Sequence, residues 1–101
     1  MYSYQENSHY IPLASVLPSN IRYNSSISNF AKILYSEIYL YRQYGDICRL
    51  TNKQFCELFG VTENTITTTI SQLVSTNLIQ RNIIYNADKS VKCRELILVG
   101  V

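Results

Sequence analysis

A chain of 101 residues, 47% hydrophobic and 16% charged, has the composition of one globular domain and not that of a disordered chain. No apolar run approaches the ~18–20 residues that span a bilayer, and Met1-Tyr2-Ser3-Tyr4-Gln5-Glu6-Asn7 lacks the basic start and apolar stretch of a secretory signal. A net charge of +2 permits a polyanionic partner without demanding one.

Residues 1–9 read as a polar, flexible tail, and the domain is expected over residues 10–101. Tyr10-Ile11-Pro12-Leu13 through Val16-Leu17-Pro18 is apolar but carries both prolines of the chain, which predicts an extended arm laid over a hydrophobic surface, with a short turn near Ala14 to Leu17. After the polar break Asn24-Ser25-Ser26, Ser28 is placed to cap a long helix that runs to Tyr44 and stops at Gly45. Ile27, Phe30, Ala31, Leu34, Ile38 and Tyr41 fall on one face of it; Ile33, Leu40 and Tyr44 widen that face, while Tyr35 and Tyr39 lie on the other side. So wide an apolar circumference needs cover, either from the arm or from a second subunit.

Asp46 to Leu50 is a short link that can form a first small strand. Thr51 and Gln54 then make a T-x-x-Q capping box, with Leu50 and Phe55 placed as a hydrophobic staple. Gly60 ends that helix where a positive φ is wanted, Val61 enters the tight turn as an apolar plug, and Thr62 caps the next helix, which reaches about Asn77. From Leu78 onward β-branched residues dominate. Leu78 to Tyr85 and Val91 to Val99 predict a β-hairpin around Asn86-Ala87-Asp88-Lys89-Ser90. The fold class expected from this order is mainly α with a small β-hairpin, a winged helix-turn-helix. The plain alternative is a three-helix domain with a decorative hairpin.

In the helix from Thr62 to Asn77, Ile66, Ile70, Leu73 and Val74 make the buried stripe. The opposite face carries Asn64, Thr65, Thr68, Ser71, Gln72 and Ser75, with Thr67 and Thr69 on its flanks. Asn64, Thr65, Thr67, Thr68, Ser71 and Gln72 are the candidate base-reading residues, because amides pair with adenine edges, hydroxyls meet bases, and Thr methyls meet thymine methyls. That face has no Lys or Arg. Phosphate contacts are therefore assigned to Thr51, Lys53, Thr62, Arg81, Lys89, Lys92 and Arg94, with Lys92 and Arg94 alternating along one strand face and Lys89 at the hairpin tip. A merely solvated basic strand would look the same.

Cys48, Cys56 and Cys93 form no C-x-x-C pair, which fits a reduced, cytoplasmic compartment; with His9 they lack metal-ligand spacing, so neither a metal nor a cofactor is expected. No nucleophile and base are paired, no carboxylates cluster and no phosphate loop is present, so a non-enzymatic role is expected.

From Tyr10 to about Leu98 the chain resembles the N-terminal winged-helix domain of plasmid- and phage-encoded replication initiators and replisome organisers. The passages that carry this are Tyr10-Ile11-Pro12-Leu13-Ala14 ahead of Ser28-x-x-Ala31-Lys32-x-Leu34-Tyr35, then Thr51-Asn52-x-x-Phe55-x-x-Leu58-Phe59-Gly60-Val61-Thr62, then Leu73-x-x-x-x-Leu78-Ile79 with Arg81. Asn77 stands where the family has Gly, and Thr67 and Thr68 stand where relatives carry basic residues. The resemblance implies recognition of double-stranded origin DNA by a homodimer, and recruitment of a replicative helicase or loader through a further domain not present here. The ending Leu98-Val99-Gly100-Val101 still reads as strand, which fits a piece of a longer protein. A small transcriptional regulator and a winged-helix interaction or oligomerisation module are the competing readings.

Overall fold

The computed structural model describes residues 17–100. The expected tail, the arm from Tyr10 to Val16 with the start of its turn, and Val101 lie outside the described residues. Among the described residues, four helices precede a two-stranded antiparallel hairpin, in the order α1 (Ser19–Arg22), α2 (Asn29–Gln43), α3 (Asn52–Phe59), α4 (Glu63–Ser75), β1 (Ile79–Tyr85) and β2 (Val91–Leu98). The architecture is mainly α with a small β-hairpin.

Helix α1 follows the second proline. Pro18, at φ −56°, sits at its N-cap, where a fixed φ suits helix entry and a missing N–H breaks no bond. Ile21 is fully buried beside Leu17 in the main core. The Arg22 guanidinium donates to the Leu17 carbonyl at 3.0 Å, and the Lys32 ammonium donates to the Arg22 carbonyl at 2.9 Å. Part of the cover that α2 needs thus comes from within the chain.

Helix α2 is capped as its sequence predicts, with Ser28 Oγ accepting from the Ala31 N–H at 3.0 Å. Its end is a Schellman turn: the Asp46 N–H donates to the Tyr41 carbonyl and the Gly45 N–H to that of Arg42. Ile27, Ala31, Leu34 and Ile38 are buried, but so is Tyr35, only 1% exposed. Sequence periodicity puts Tyr35 on the outer side. The helix instead packs against both α4 and β2, so its buried arc exceeds one amphipathic stripe.

The α3–α4 unit forms from local chemistry. Thr51 Oγ1 accepts from the Gln54 N–H at 3.1 Å and Gln54 Oε1 accepts from the Thr51 N–H at 2.8 Å, which completes the capping box. Gly60 then reverses the chain at φ 68°. Thr62 caps α4, and Ile66, Thr69, Ile70 and Leu73 are buried along it. Phe55 is fully buried and stacks on Phe59, whose ring meets Phe30 edge-on at 5.5 Å. Helix α4 ends at Ser75, slightly earlier than Asn77, in a second Schellman turn: Asn77 adopts φ 62°, its N–H donates to the Val74 carbonyl, and the Leu78 N–H donates to that of Leu73.

The hairpin pairs Ile79 with Leu98 and Arg81 with Leu96 at its base, where Ile79, Leu96 and Leu98 enter the core. The expected first strand is reduced to a single bridge between Cys48 and Leu96, with the Leu96 N–H donating to the Cys48 carbonyl at 2.9 Å. Toward the tip the pairing shifts after Ile84–Cys93 to Tyr85–Val91, so Lys92 is left over in a bulge. The turn closes through Lys89 N–H to the Asn86 carbonyl and Asn86 N–H to the Ser90 carbonyl, with Lys89 in the left-handed region at φ 70°. Left-handed backbone costs an L side chain roughly 1–2 kcal/mol, partly offset by the extra chain entropy of glycine. Lys89→Gly is therefore expected to raise unfolding free energy by about 0.5–1 kcal/mol, and Gly60→Ala to lower it by about 1 kcal/mol. Urea titrations of both variants check the opposite signs.

Candidate nucleic-acid interface

Helix α4 presents to solvent a strip of hydroxyl and amide groups, with the exposed carboxylate of Glu63 in its first turn. Asn64, Thr67, Thr68 and Ser71 are exposed, and Ser75 continues the strip with its hydroxyl donating to the Gln72 carbonyl at 3.1 Å. The remaining hydroxyls and amides are engaged within the protein. Thr69, placed on a flank by periodicity, is buried and donates to the Thr65 carbonyl at 2.6 Å. Thr65 is partly buried, with its hydroxyl 3.1 Å from that of Thr62, whose oxygen also accepts from the Thr65 N–H. Gln72 is partly buried, and its Oε1 accepts from the Ser28 N–H at 3.1 Å. The side chain expected to read adenine thus helps to hold the start of α2 against α4.

Arg94 corrects the sequence expectation most clearly. Instead of standing on a basic strand face, its side chain folds back onto the start of α3. Nη2 donates to the Leu50 carbonyl at 2.6 Å and Nη1 to Asn52 Oδ1 at 2.5 Å. The guanidinium also lies 6.0 Å from the Phe55 ring centroid, and its buried Nε has no hydrogen-bond partner among the described residues. Burial pushes its pKa below the ordinary arginine value, with the Cys48 thiol opposing and the Arg81 charge adding to the shift. Arginine nevertheless keeps its proton. The reason is tertiary: Arg94 is paired with Ile83 and shares the sheet face of Leu96 and Leu98, which looks onto the helices and not outward.

Asn52 is the residue that sequence reasoning missed. Besides receiving Arg94, its Nδ2 donates to Thr67 Oγ1 at 3.2 Å. A relay therefore runs from β2 through the first turn of α3 to the outer side of α4. Its members are 42 and 15 residues apart in sequence. No local pattern could have revealed it.

The other candidates are spread out. Thr51, Lys92 and Arg94 line one groove between β2 and the start of α3, together with Leu50 and Asn52. Arg81 borders a shallow pocket at the end of α4 with Val74 and Asn77. Lys53 and Lys89 are exposed on α3 and in the hairpin turn. Arg49 forms an ion pair with Glu95 at 3.1 Å, and a longer one with Asp46 at 3.4 Å. Among the described residues no group of three or more His, Cys, Asp or Glu is placed to hold a metal ion, and no helix is long and apolar enough to cross a membrane. Cys48, Cys56 and Cys93 are all free thiols.

No family model, curated protein or solved structure matches this chain.

Arg94→Met keeps much of the side-chain bulk while leaving the Leu50 carbonyl and Asn52 Oδ1 without their donor. Hydrogen bonds from charged groups contribute about 1.5–3 kcal/mol, so a loss of that order is expected. Lys92→Ala, at an exposed bulge position, should stay within about 0.5 kcal/mol of the parent. Equal, small effects in chemical denaturation would refute the clamp.

Proposed function

We propose that this chain is a winged helix-turn-helix domain that binds double-stranded DNA, with α3 and α4 as the helix-turn-helix and the β1–β2 hairpin as the wing. The observation that carries the reading is the outer face of α4. Asn64, Thr67, Thr68 and Ser71 leave amide and hydroxyl groups exposed along a helix whose entry is set by the capping box, Gly60 and Thr62. Such a face can enter a major groove and meet base edges. It carries no cation, so attraction to phosphate falls to Lys53, Arg81, Lys89 and Lys92, Arg94 being engaged inside the protein. A single copy with so few free cations binds weakly, and the working unit in this reading is a homodimer.

The resemblance of residues 10–98 to initiator domains extends the proposal to plasmid or phage origin DNA in the cytoplasm. There the domain acts by binding rather than by catalysis, and a further domain recruits a helicase or its loader.

Fluorescence anisotropy with labelled duplexes at ~50 and ~200 mM salt tests the DNA reading. With two or three phosphate contacts per copy, log Kobs should fall against log salt with a slope of about −2 to −3 for one bound copy and about twice that for a homodimer. Lys92→Ala should weaken all duplexes alike and flatten the slope by roughly one unit per bound copy, while Asn64→Ala should blur preference among sequences. Absence of salt-sensitive binding at ~50 mM salt would sink the proposal and favour an interaction module.

A further inference from the structure

We infer that two copies of this chain join along the outer edges of their β1 strands into one four-stranded antiparallel sheet, with Tyr85 of each copy seated in the pocket at the base of the other. The homodimer itself belongs to the DNA-binding reading above; its interface is argued from the hairpin alone.

The two edges of the hairpin differ. The Val99 N–H donates to the Leu78 carbonyl at 3.1 Å, so that pair, and every second pair above it, bonds across the hairpin. Ile79, Arg81 and Ile83 fall between, and their N–H and C=O groups point away from β2. Tyr85 does the same beyond the bulge, since the Asn86 N–H bonds across to the Ser90 carbonyl. Leu96, the partner of Arg81, shows the alternation from the other side by sending its N–H out to the Cys48 carbonyl. The β2 edge is thus taken at its base and interrupted by the Lys92 bulge toward its tip. The β1 edge has no strand partner among the described residues. Its seven residues include no proline and one charge, Arg81, and the extra residue of the bulge lies in β2. Charges, prolines and bulges are what keep an open edge from recruiting another strand.

A second copy of β1 fits this edge. With a two-fold axis through Asn82, the middle of the strand, every outward residue meets an outward residue. Arg81 faces Ile83 of the second copy, Ile79 faces its Tyr85, and each such pair exchanges two backbone hydrogen bonds. An axis through Arg81 would instead set like charges opposite each other. Ile79, Arg81, Ile83 and Tyr85 are alternate residues, so their side chains share the helix side of the sheet with Leu96 and Leu98. Tyr85 of the second copy therefore arrives on the α4 side, at the pocket lined by Val74, Asn77, Ile79, Gln80, Arg81 and Val99. Tyr85 is 59% exposed in the single copy. Its ring gains burial there, and its hydroxyl meets a polar rim. The uncovered tip and the pocket lie at opposite ends of one strand, and the axis brings them together twice.

Sedimentation velocity of the full chain from ~1 to ~200 μM, without DNA, should show a monomer–dimer equilibrium. Ile83→Pro removes one outward N–H per copy and no bond within the hairpin, at an edge position that tolerates proline. Two lost hydrogen bonds should raise the dimer Kd by roughly thirtyfold. Tyr85→Ser should raise it by at least about tenfold. Asn82 meets itself across the axis with Cα atoms about 4.5 Å apart, within disulfide reach. In a Cys93→Ser background, mild oxidation should link Asn82→Cys into a dimer but not Gln80→Cys, which faces Ile84 of the second copy. Thermal melts check folding, and the Asn82→Cys linkage decides the matter if Ile83→Pro does not fold.

A parent that stays monomeric at ~200 μM, a dimer that persists in folded Ile83→Pro, or failure of Asn82→Cys to link overturns the interface. A monomer that still binds DNA in a salt-sensitive way overturns this inference alone. An edge-paired dimer without salt-sensitive DNA binding upholds the interface and overturns the DNA reading.

Discussion

The guanidinium of Arg94 ties the hairpin to the start of α3. A two-stranded hairpin is marginal on its own in water. Here only its base, through Ile79, Leu96 and Leu98, reaches the core. Beyond that base, Ile83, Ile84, Tyr85 and Val91 are exposed, and Tyr85 and Val91 remain 59% and 61% accessible. Arg94 sits where the buried and exposed halves meet, and fixes the hairpin to the Leu50 carbonyl, to Asn52 and to the Phe55 ring. Arginine suits this place because its planar fork serves two acceptors at once, while its weak hydration makes partial burial tolerable. A lysine would bring a point charge and lose the fork.

Asn52 carries that anchor on to the outer side of α4 through Thr67. Other polar groups of α4 do similar work inside the fold. Gln72 holds the start of α2, Thr62 and Thr65 tighten the entry turn, and Thr69 bonds along the helix. A helix rich in β-branched threonines gains little from intrinsic propensity. Its order comes from its caps and from the buried side of Ile66, Ile70 and Leu73. The groups left for a ligand are fewer than composition suggests, and none is a cation. In the proposed reading α4 specifies, while Lys53, Arg81, Lys89 and Lys92 attract.

Much of the frame was legible in the sequence because it is built from short-range chemistry. Ser28, Thr51 and Thr62 each cap the helix expected of them, and Gly45, Gly60 and Asn77 take the left-handed backbone where the helices stop. The hairpin turns at Asn86 to Ser90 as its composition predicts. Each of these depends on residues within about one helical turn or one tight turn. The short helix after Pro18 was not legible, because its four residues lack a periodic pattern and are held largely by Ile21 in the core. Tyr35 was misplaced for a related reason: periodicity locates one stripe, whereas α2 is covered from several sides.

The candidate interface divides along the same line. Sequence by itself determined that two capped helices in succession carry a polar outer strip without Lys or Arg and are followed by a hairpin, since local hydrogen bonds and hydrophobic period decide those features. Only the tertiary structure decided which polar groups remain free. A one-residue bulge separates Lys92 from Arg94 in the register, packing turns Arg94 inward, and contacts across 15, 42 and 44 residues engage Thr67, Asn52 and Gln72. A charged or amide side chain shows in sequence what it can bond. Whether a partner from elsewhere in the chain already occupies it is settled by the packing of distant segments.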